Sequence, residues 1–415
     1  MPPAFPSLSA ARPEADADPW VLSQGGSEEG QVIRFLDRLL WHAHRMRASD
    51  LHFEPYEDAY RIRMRVDGQL REVSRPPLAV KDRIASRIKV LAKLDISEKR
   101  LPQDGRMRHT VATQQTADFR VSTLPTLFGE KVVLRLLDAG PAHLDIDALG
   151  YEDAQKAALL EAIHRPWGMV LVTGPTGSGK TLSLYSALRV LNGTGLNIST
   201  AEDPSEINLP GVNQVNVNEK AGLSFAVALR AFLRQDPDVV MIGEIRDLET
   251  ADMALKAAQT GHLVLSTLHT NDAPSSLARL RHMGVAAHNI AASVGLVTAQ
   301  RLVRRLCPAC RQPSELHPAV LLNAGFKSEA LDGSWTPYRA VGCADCHQGY
   351  LGRIGVFQVM PVSQAMQEII LQECSSAEMA RQAAREGVLS LREAGLRKVK
   401  LGLTSVEEII DQTNA

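Results

Sequence analysis

The 415-residue sequence lacks what marks several large protein classes. Charge of one sign is missing: 46 Lys and Arg stand against 47 Asp and Glu, a formal net charge of -1, so no overall field draws the chain to a polyanion. Aromatic residues make up only 5%, too few for a groove on which successive bases stack. The two deficits together argue against nucleic acid as a partner. The first thirty residues show no basic-then-apolar-then-small pattern, so no secretory signal is expected. The longest stretch without a formal charge, residues 283–300, contains His288, Asn289, Ser293 and Thr298 and reads as a buried helix, not a membrane span. Cysteine is scarce as well. Four of the five fall into two C-x-x-C pairs, which fits a reduced compartment and a metal better than a disulfide framework.

What remains is a globular composition, 45% hydrophobic and 22% charged, on a chain long enough for two or three domains. Residues 1–30, rich in Pro, Ala, Ser, Asp and Glu, have no apolar periodicity and read as a disordered tail. Val32, Phe35, Leu36, Leu39, Leu40 and Ala43 then recur at helical spacing. Residues 60–70 alternate apolar and charged side chains and turn at Asp67-Gly68, which predicts a hairpin with Arg61, Arg63 and Arg65 on one face. A helical run over 80–94 and strands over 118–122 and 131–137 complete a small α/β domain, 31–138. A linker follows over 139–148, with Gly140 and Pro141. Beyond it, continuous apolar runs at 169–173, 197–200, 239–243 and 262–267 alternate with helical patterns such as Leu223, Ala226, Leu229, Phe232 and Leu233. That order predicts a mostly parallel sheet covered on both faces.

Gly174-Pro175-Thr176-Gly177-Ser178-Gly179-Lys180-Thr181 follows the first of these strands and opens a helical run over 182–191. This is the context a phosphate-binding loop requires. Glycines let backbone N–H groups curl around phosphates at a helix N-terminus; Lys180 would reach the β- and γ-phosphates and Thr181 would bind Mg²⁺. Strand 239–242 ends at Gly243-Glu244-Ile245-Arg246-Asp247, placing Glu244 at the carboxyl edge of the sheet, where such folds bind ligands. Many phosphate-loop enzymes have an acid where Gly243 stands, so the metal duty falls on Glu244. Glu202-Asp203-Pro204-Ser205-Glu206 follows another strand and supplies acids for polarising a water. Cys307, Cys310, Cys343 and Cys346 form two knuckles suited to one closed, structural Zn²⁺ site; His347 adjoins the second, and Cys374 stands apart as an expected core residue.

Longer strings resemble the type II and type IV secretion ATPase superfamily. They are Glu202-Asp203-Pro204, Arg234-Gln235-Asp236-Pro237-Asp238 leading to Gly243-Glu244, and Thr260-Gly261-His262 through Ser266-Thr267-Leu268-His269-Thr270-Asn271-Asp272-Ala273. Ala48-Ser49-Asp50-Leu51-His52-Phe53-Glu54-Pro55 and Leu101-Pro102-Gln103-Asp104-Gly105-Arg106 extend the likeness, which runs from about residue 30 to the end. Within the superfamily, Glu206-Ile207-Asn208-Leu209-Pro210-Gly211 and Gly355-Val356-Phe357-Gln358-Val359-Met360-Pro361 are most similar to the type IV pilus assembly ATPase, with the type II secretion ATPase as runner-up. The four cysteines set the chain apart from the pilus retraction ATPase.

The resemblance implies a small N-terminal PAS-like α/β domain and a RecA-like ATPase core over 149–415, with a zinc module at 303–350 and C-terminal helices at 363–415. It implies a homo-hexameric motor using ATP, Mg²⁺ and Zn²⁺. Such a motor is cytoplasmic, held at the inner membrane by a platform protein, and binds no nucleic acid. Glu202 corresponds to a water-activating acid, Glu244 to the metal acid and His269 to a γ-phosphate contact, with Arg106 and Arg120 reaching over the nucleotide. Relatives usually carry a further N-terminal docking domain, which this sequence is expected to lack. Two other function classes, a nucleic-acid translocase and an inactive nucleotide-binding scaffold, are opposed by the charge balance and by Lys180, Glu202 and Glu244 respectively.

Overall fold

Ser27 caps the first helix, its side chain accepting from the Gly30 N–H, and Glu28 and Glu29 occupy the turn where the helix dipole favours acids. This helix, α1 (Glu28–Arg45), buries the six apolar residues of the sequence stripe. The computed structural model describes residues 18–21, 24–112, 115–137 and 145–413. It divides into two units, residues 1–138 and 139–415. Most of the expected tail, 1–17 and 22–23, and most of the expected linker, including Gly140 and Pro141, lie outside the described residues. Within them the tail reading needs correction. Trp20 is buried, with its ring edge-on to Phe35 at 5.3 Å, so the order begins before residue 30. A lone aromatic has no periodicity, but α1 supplies the surface that covers it.

The first unit continues through β1 (Asp50–Pro55), β2 (Tyr60–Val66), β3 (Gln69–Ser74), α2 (Lys81–Leu91), β4 (Gln103–Ala112), β5 (Gln115–Thr126) and β6 (Gly129–Leu136). Among the described residues these strands form one antiparallel sheet in the order β3-β2-β1-β6-β5-β4. Tyr60, Ile62, Met64 and Val66 point inward, and Asp67 and Gly68, both at positive φ, make the tight turn. Arg61, Arg63 and Lys131 close on Glu54 at 3.2, 2.7 and 3.2 Å. Burial opposes the Glu54 charge, yet hydrogen bonds from Arg63 and Lys131 hold its pKa down at about 2.

The second unit comprises α3 (Asp153–Ile163), β7 (Gly168–Thr173), α4 (Lys180–Leu191), β8 (Ile198–Glu202), β9 (Asn213–Asn216), α5 (Phe225–Phe232), β10 (Val239–Ile242), α6 (Leu248–Gln259), β11 (Leu263–Leu268), α7 (Ala273–His282), α8 (Ala287–Ser293) and β12 (Val294–Leu306). Then come β13 (Gln312–Pro313), α9 (Pro318–Ala324), β14 (Tyr338–Arg339), β15 (Tyr350–Pro361), α10 (Gln364–Leu371), α11 (Ser376–Arg385), α12 (Leu391–Lys400) and α13 (Val406–Thr413). Its main sheet runs β15-β12-β7-β11-β10-β8-β9, parallel from β12 to β9 with β15 antiparallel at the edge. β7 sends Met169 and Leu171 into one core and Val170 and Val172 into another, so both faces of the sheet are covered.

One sequence expectation fails here. Residues 283–300 are not a single helix: α8 ends at Ser293 and β12 begins at Val294, beside β7 in the sheet. An uncharged run fixes burial but not the element type, and Val294, Val297 and Thr298 favour the strand.

Candidate nucleotide site and cysteine cluster

β7 delivers the chain to the glycine-rich loop at Thr173, and α4 begins at Lys180. The loop needs its glycines: Gly174, Gly177 and Gly179 all have positive φ, and a Cβ on Gly174 would lie 2.6 Å from both the Gln300 carbonyl oxygen and Ser178 Oγ. The N–H groups at the start of α4 have no carbonyl within the helix to bond, which suits an anion. Ser178 Oγ is buried without a hydrogen-bond partner, a polar atom that an oxyanion in the loop would satisfy. Lys180 lies folded against its own loop, its Nζ donating to the Gly174 and Pro175 carbonyls at 2.8 and 3.1 Å. Burial lowers its pKa to about 8, with the Glu244 carboxylate opposing and the Arg301 guanidinium reinforcing the shift. Thr181 follows, half-buried, at the second position of the helix.

The other strands bring their carboxyl ends to the same edge. Glu244, just beyond β10, receives His269 Nε2 at 3.4 Å and pairs with Arg246, which also reaches Asp203 at 3.2 Å. Burial and the nearby Lys180 charge lower the His269 pKa, so at neutral pH the ring serves as a neutral hydrogen-bonding group. Lys180, Glu244 and His269 therefore share one electrostatic neighbourhood. Gly243 has a structural reason: a Cβ there would come within 3.3 Å of the Ala201 carbonyl oxygen, leaving little room for the acid found in other phosphate-loop enzymes.

Glu202 stands differently. It is 4% exposed, and both carboxylate oxygens are engaged: Tyr185 OH donates to Oε2, while Thr200 Oγ1 and Gln214 Nε2 donate to Oε1 at 2.6 and 3.0 Å. The solvent-exposed acids of the same segment are Asp203 and Glu206. Sequence reasoning missed these partners of Glu202, and it missed Gln300 and Arg301, two polar residues inside an apolar strand that are buried against the loop region. Arg106 and Arg120 belong to the first unit, opposite one another on β4 and β5, with Arg120 3.9 Å from Asp104.

Cys307 and Cys310 follow β12, and Cys343 and Cys346 precede β15. Their four Sγ atoms lie within 4.8 Å of one another, with closest separations of 3.6, 3.7 and 3.9 Å. A tetrahedral Zn²⁺ with Zn–S bonds of about 2.3 Å sets sulfurs roughly 3.8 Å apart, so the donor set fits. Gly342 N–H and Cys343 N–H donate to Cys310 and Cys346 sulfurs, as thiolate ligands require. His347 is not one of the group. Cys374, expected in the core, is only half-buried. Elemental analysis of protein from zinc-replete medium is expected to find one zinc per chain, with Cys343→Ser lowering both the zinc content and the melting temperature. Full-length protein with no zinc would remove the assignment.

The family described as "Type II/IV secretion system protein" matches residues 26–411. The type IV pilus assembly ATPase PilB of Acinetobacter baylyi is 57% identical over 383 residues, covering 92% of this chain and 66% of that protein. The type II secretion system protein E of Pseudomonas aeruginosa is 47% identical over 387 residues, covering 93% and 76%. The chain thus spans about two thirds of the length of the first of these relatives. Among solved structures, the pilus retraction motor PilT with bound ADP superposes with a TM-score of 0.62 at 25% identity, covering 92% of this chain and 97% of that one.

Proposed function

The chain belongs to the type II/IV secretion system protein family, and on that premise we propose that it is an ATP-hydrolysing motor for type IV pilus assembly. The observation that carries this reading is the convergence of Lys180, Glu244 and His269 at the carboxyl edge of a parallel sheet, around a loop whose glycines open its backbone donors. Lys180 would leave the Gly174 and Pro175 carbonyls to meet the β- and γ-phosphates, Thr181 and Glu244 would hold Mg²⁺, and His269 would donate to the γ-phosphate. The magnesium ion supplies charge neutralisation on the phosphate oxygens. The role of orienting water passes from Glu202, which is buried and already accepts three hydrogen bonds, to the exposed Glu206 of the same segment. Pilus assembly is favoured over type II secretion by 57% against 47% identity.

The working form is a homo-hexamer acting in the cytoplasm on an inner-membrane platform protein, without nucleic acid. No described helix is long and apolar enough to cross a membrane. Phosphate release from Mg-ATP by the purified chain, rising per chain with protein concentration as rings form, tests the enzyme. Restoration of pili in a strain lacking its pilus assembly ATPase tests the system. A chain that forms rings yet releases no phosphate would overturn the first. Rescue of type II secretion alone would favour the runner-up.

Arg106 and Arg120 extend the proposal to the first unit. Guanidinium groups supplied to a phosphoryl-transfer site are worth about 10³–10⁵ in turnover at their strongest. Arg106→Ala and Arg120→Ala are expected to slow turnover by at least about tenfold while leaving the melting temperature nearly unchanged, since Arg106 is exposed and Arg120 only half-buried. Wild-type turnover in both would confine the chemistry to the second unit.

A further inference from the structure

We propose that Gln300 of β12 is a positioning residue that sets the shape of the phosphate-binding loop; the inference rests on the nucleotide reading of that loop. The register places it there. Ala299 pairs with Thr173, the last residue of β7, so Gln300 is the first β12 residue alongside the loop itself. It is 1% exposed, and each end of its amide is used. Nε2 donates to the Ser178 carbonyl oxygen at 2.6 Å, and Oε1 accepts from Ser183 Oγ, in the first turn of α4, at 2.8 Å. Its own carbonyl oxygen faces Gly174, which tolerates that approach only because it has no Cβ. One side chain thereby ties the loop to the helix it opens.

The tie matters through the geometry of one peptide. In a planar trans peptide the C=O and the following N–H point in opposite directions. Holding the Ser178 carbonyl toward β12 therefore turns the Gly179 N–H away from β12, into the hollow of the loop where the phosphates would lie. Gly179 has φ near 90°, and nothing in its own stereochemistry resists the alternative orientation of that peptide. Gln300 removes the ambiguity. The amide offers, on two separate atoms, both the donor that the Ser178 carbonyl needs and the acceptor that the Ser183 hydroxyl needs. Arg301 extends the connection: its NH1 donates to the Gln300 carbonyl at 3.1 Å and its NH2 to the Asn271 carbonyl and side chain at 3.1 and 3.3 Å, on the loop that carries His269.

The test compares Gln300→Met, which keeps the shape without the hydrogen bonds, with Gln300→Glu, which sets a carboxylate against the Ser178 carbonyl. Steady-state ATP hydrolysis, equilibrium binding of a fluorescent ATP analogue and thermal melting are measured on the full chain. KM and the dissociation constant are expected to rise roughly tenfold for Gln300→Met and further for Gln300→Glu, with kcat within about threefold of wild type. A purely structural role would lower the melting temperature of both variants and leave KM unchanged in the folded protein. Ser183→Ala removes one hydroxyl and frees the amide to rotate; an intermediate rise in KM is expected, and this variant decides the matter if the Gln300 variants do not fold. Wild-type protein that neither binds nor hydrolyses Mg-ATP would remove the nucleotide reading itself. Wild-type activity together with unchanged KM in the variants would overturn the role of Gln300 alone.

Discussion

Lys180→Ala is expected to reduce Mg-ATP hydrolysis to background while the protein stays folded. The Lys180 ammonium bonds the Gly174 and Pro175 carbonyls of its own loop and no atom of a neighbouring strand among the described residues, so deletion is expected to leave the sheet and α4 intact. What is lost is the mobile charge for the β- and γ-phosphates, which no other lysine near the loop replaces among the described residues. The pKa of about 8 adds a second readout. Phosphates favour the protonated amine, so binding raises this pKa, and linkage then requires affinity to be full below about 8 and to fall by roughly tenfold per unit above it. Lys180→Arg keeps a charge that does not titrate in this range, and should bind more weakly but with a flat pH profile. Persistent hydrolysis in Lys180→Ala would sink the site assignment. A flat wild-type profile between pH 7 and pH 10, a range set about the value near 8, would remove Lys180 as the titrating group.

The elements most legible in the sequence are those whose apolar pattern is long or doubly buried. The stripe of α1 and the continuous runs of β7, β10 and β11 needed no tertiary information, because burial on one helix face or on both sheet faces writes itself into residue order. The phosphate loop was legible for a different reason: its glycines are demanded by local backbone geometry. β4 was missed because it is an edge strand with polar or charged residues at most positions, and its strand character comes from pairing with β5. β12 was misread because an uncharged run long enough for one helix was also long enough for a short helix and a strand. The side chains around Glu202 were out of reach altogether. Tyr185 and Gln214 lie 17 and 12 residues away along the chain, and only the parallel pairing of β8 with β9 and the packing of α4 bring them to one carboxylate.

The sequence assigns that carboxylate the activation of water. A general base must be able to reach water, and it must have a lone pair to spare. Glu202 is poorly placed for both: it is buried, and Tyr185, Thr200 and Gln214 take three of the roughly four lone-pair sites its carboxylate offers. Its hydrogen bond with Tyr185 joins β8 to α4, and the Tyr185 hydroxyl in turn accepts from the Glu206 N–H at 3.1 Å. Glu206 is thus anchored by its backbone while its side chain stays exposed. Replacement by the amide should therefore act differently at the two positions. Glu206→Gln is expected to slow turnover by about 10²–10⁴-fold, the range for a lost general base, with unchanged melting temperature and unchanged ATP affinity. Glu202→Gln sets an NH₂ group among three donors, costing about 1–3 kcal/mol of stability, and lowers turnover chiefly by loosening the segment that carries Glu206. Melting temperature, ATP affinity and single-turnover rate, measured together on the two variants, distinguish the roles. A Glu202→Gln protein as stable as wild type but a hundredfold slower (about 10², the lower end of a lost base) would return the chemistry to Glu202, and unimpaired turnover in Glu206→Gln would take it from Glu206.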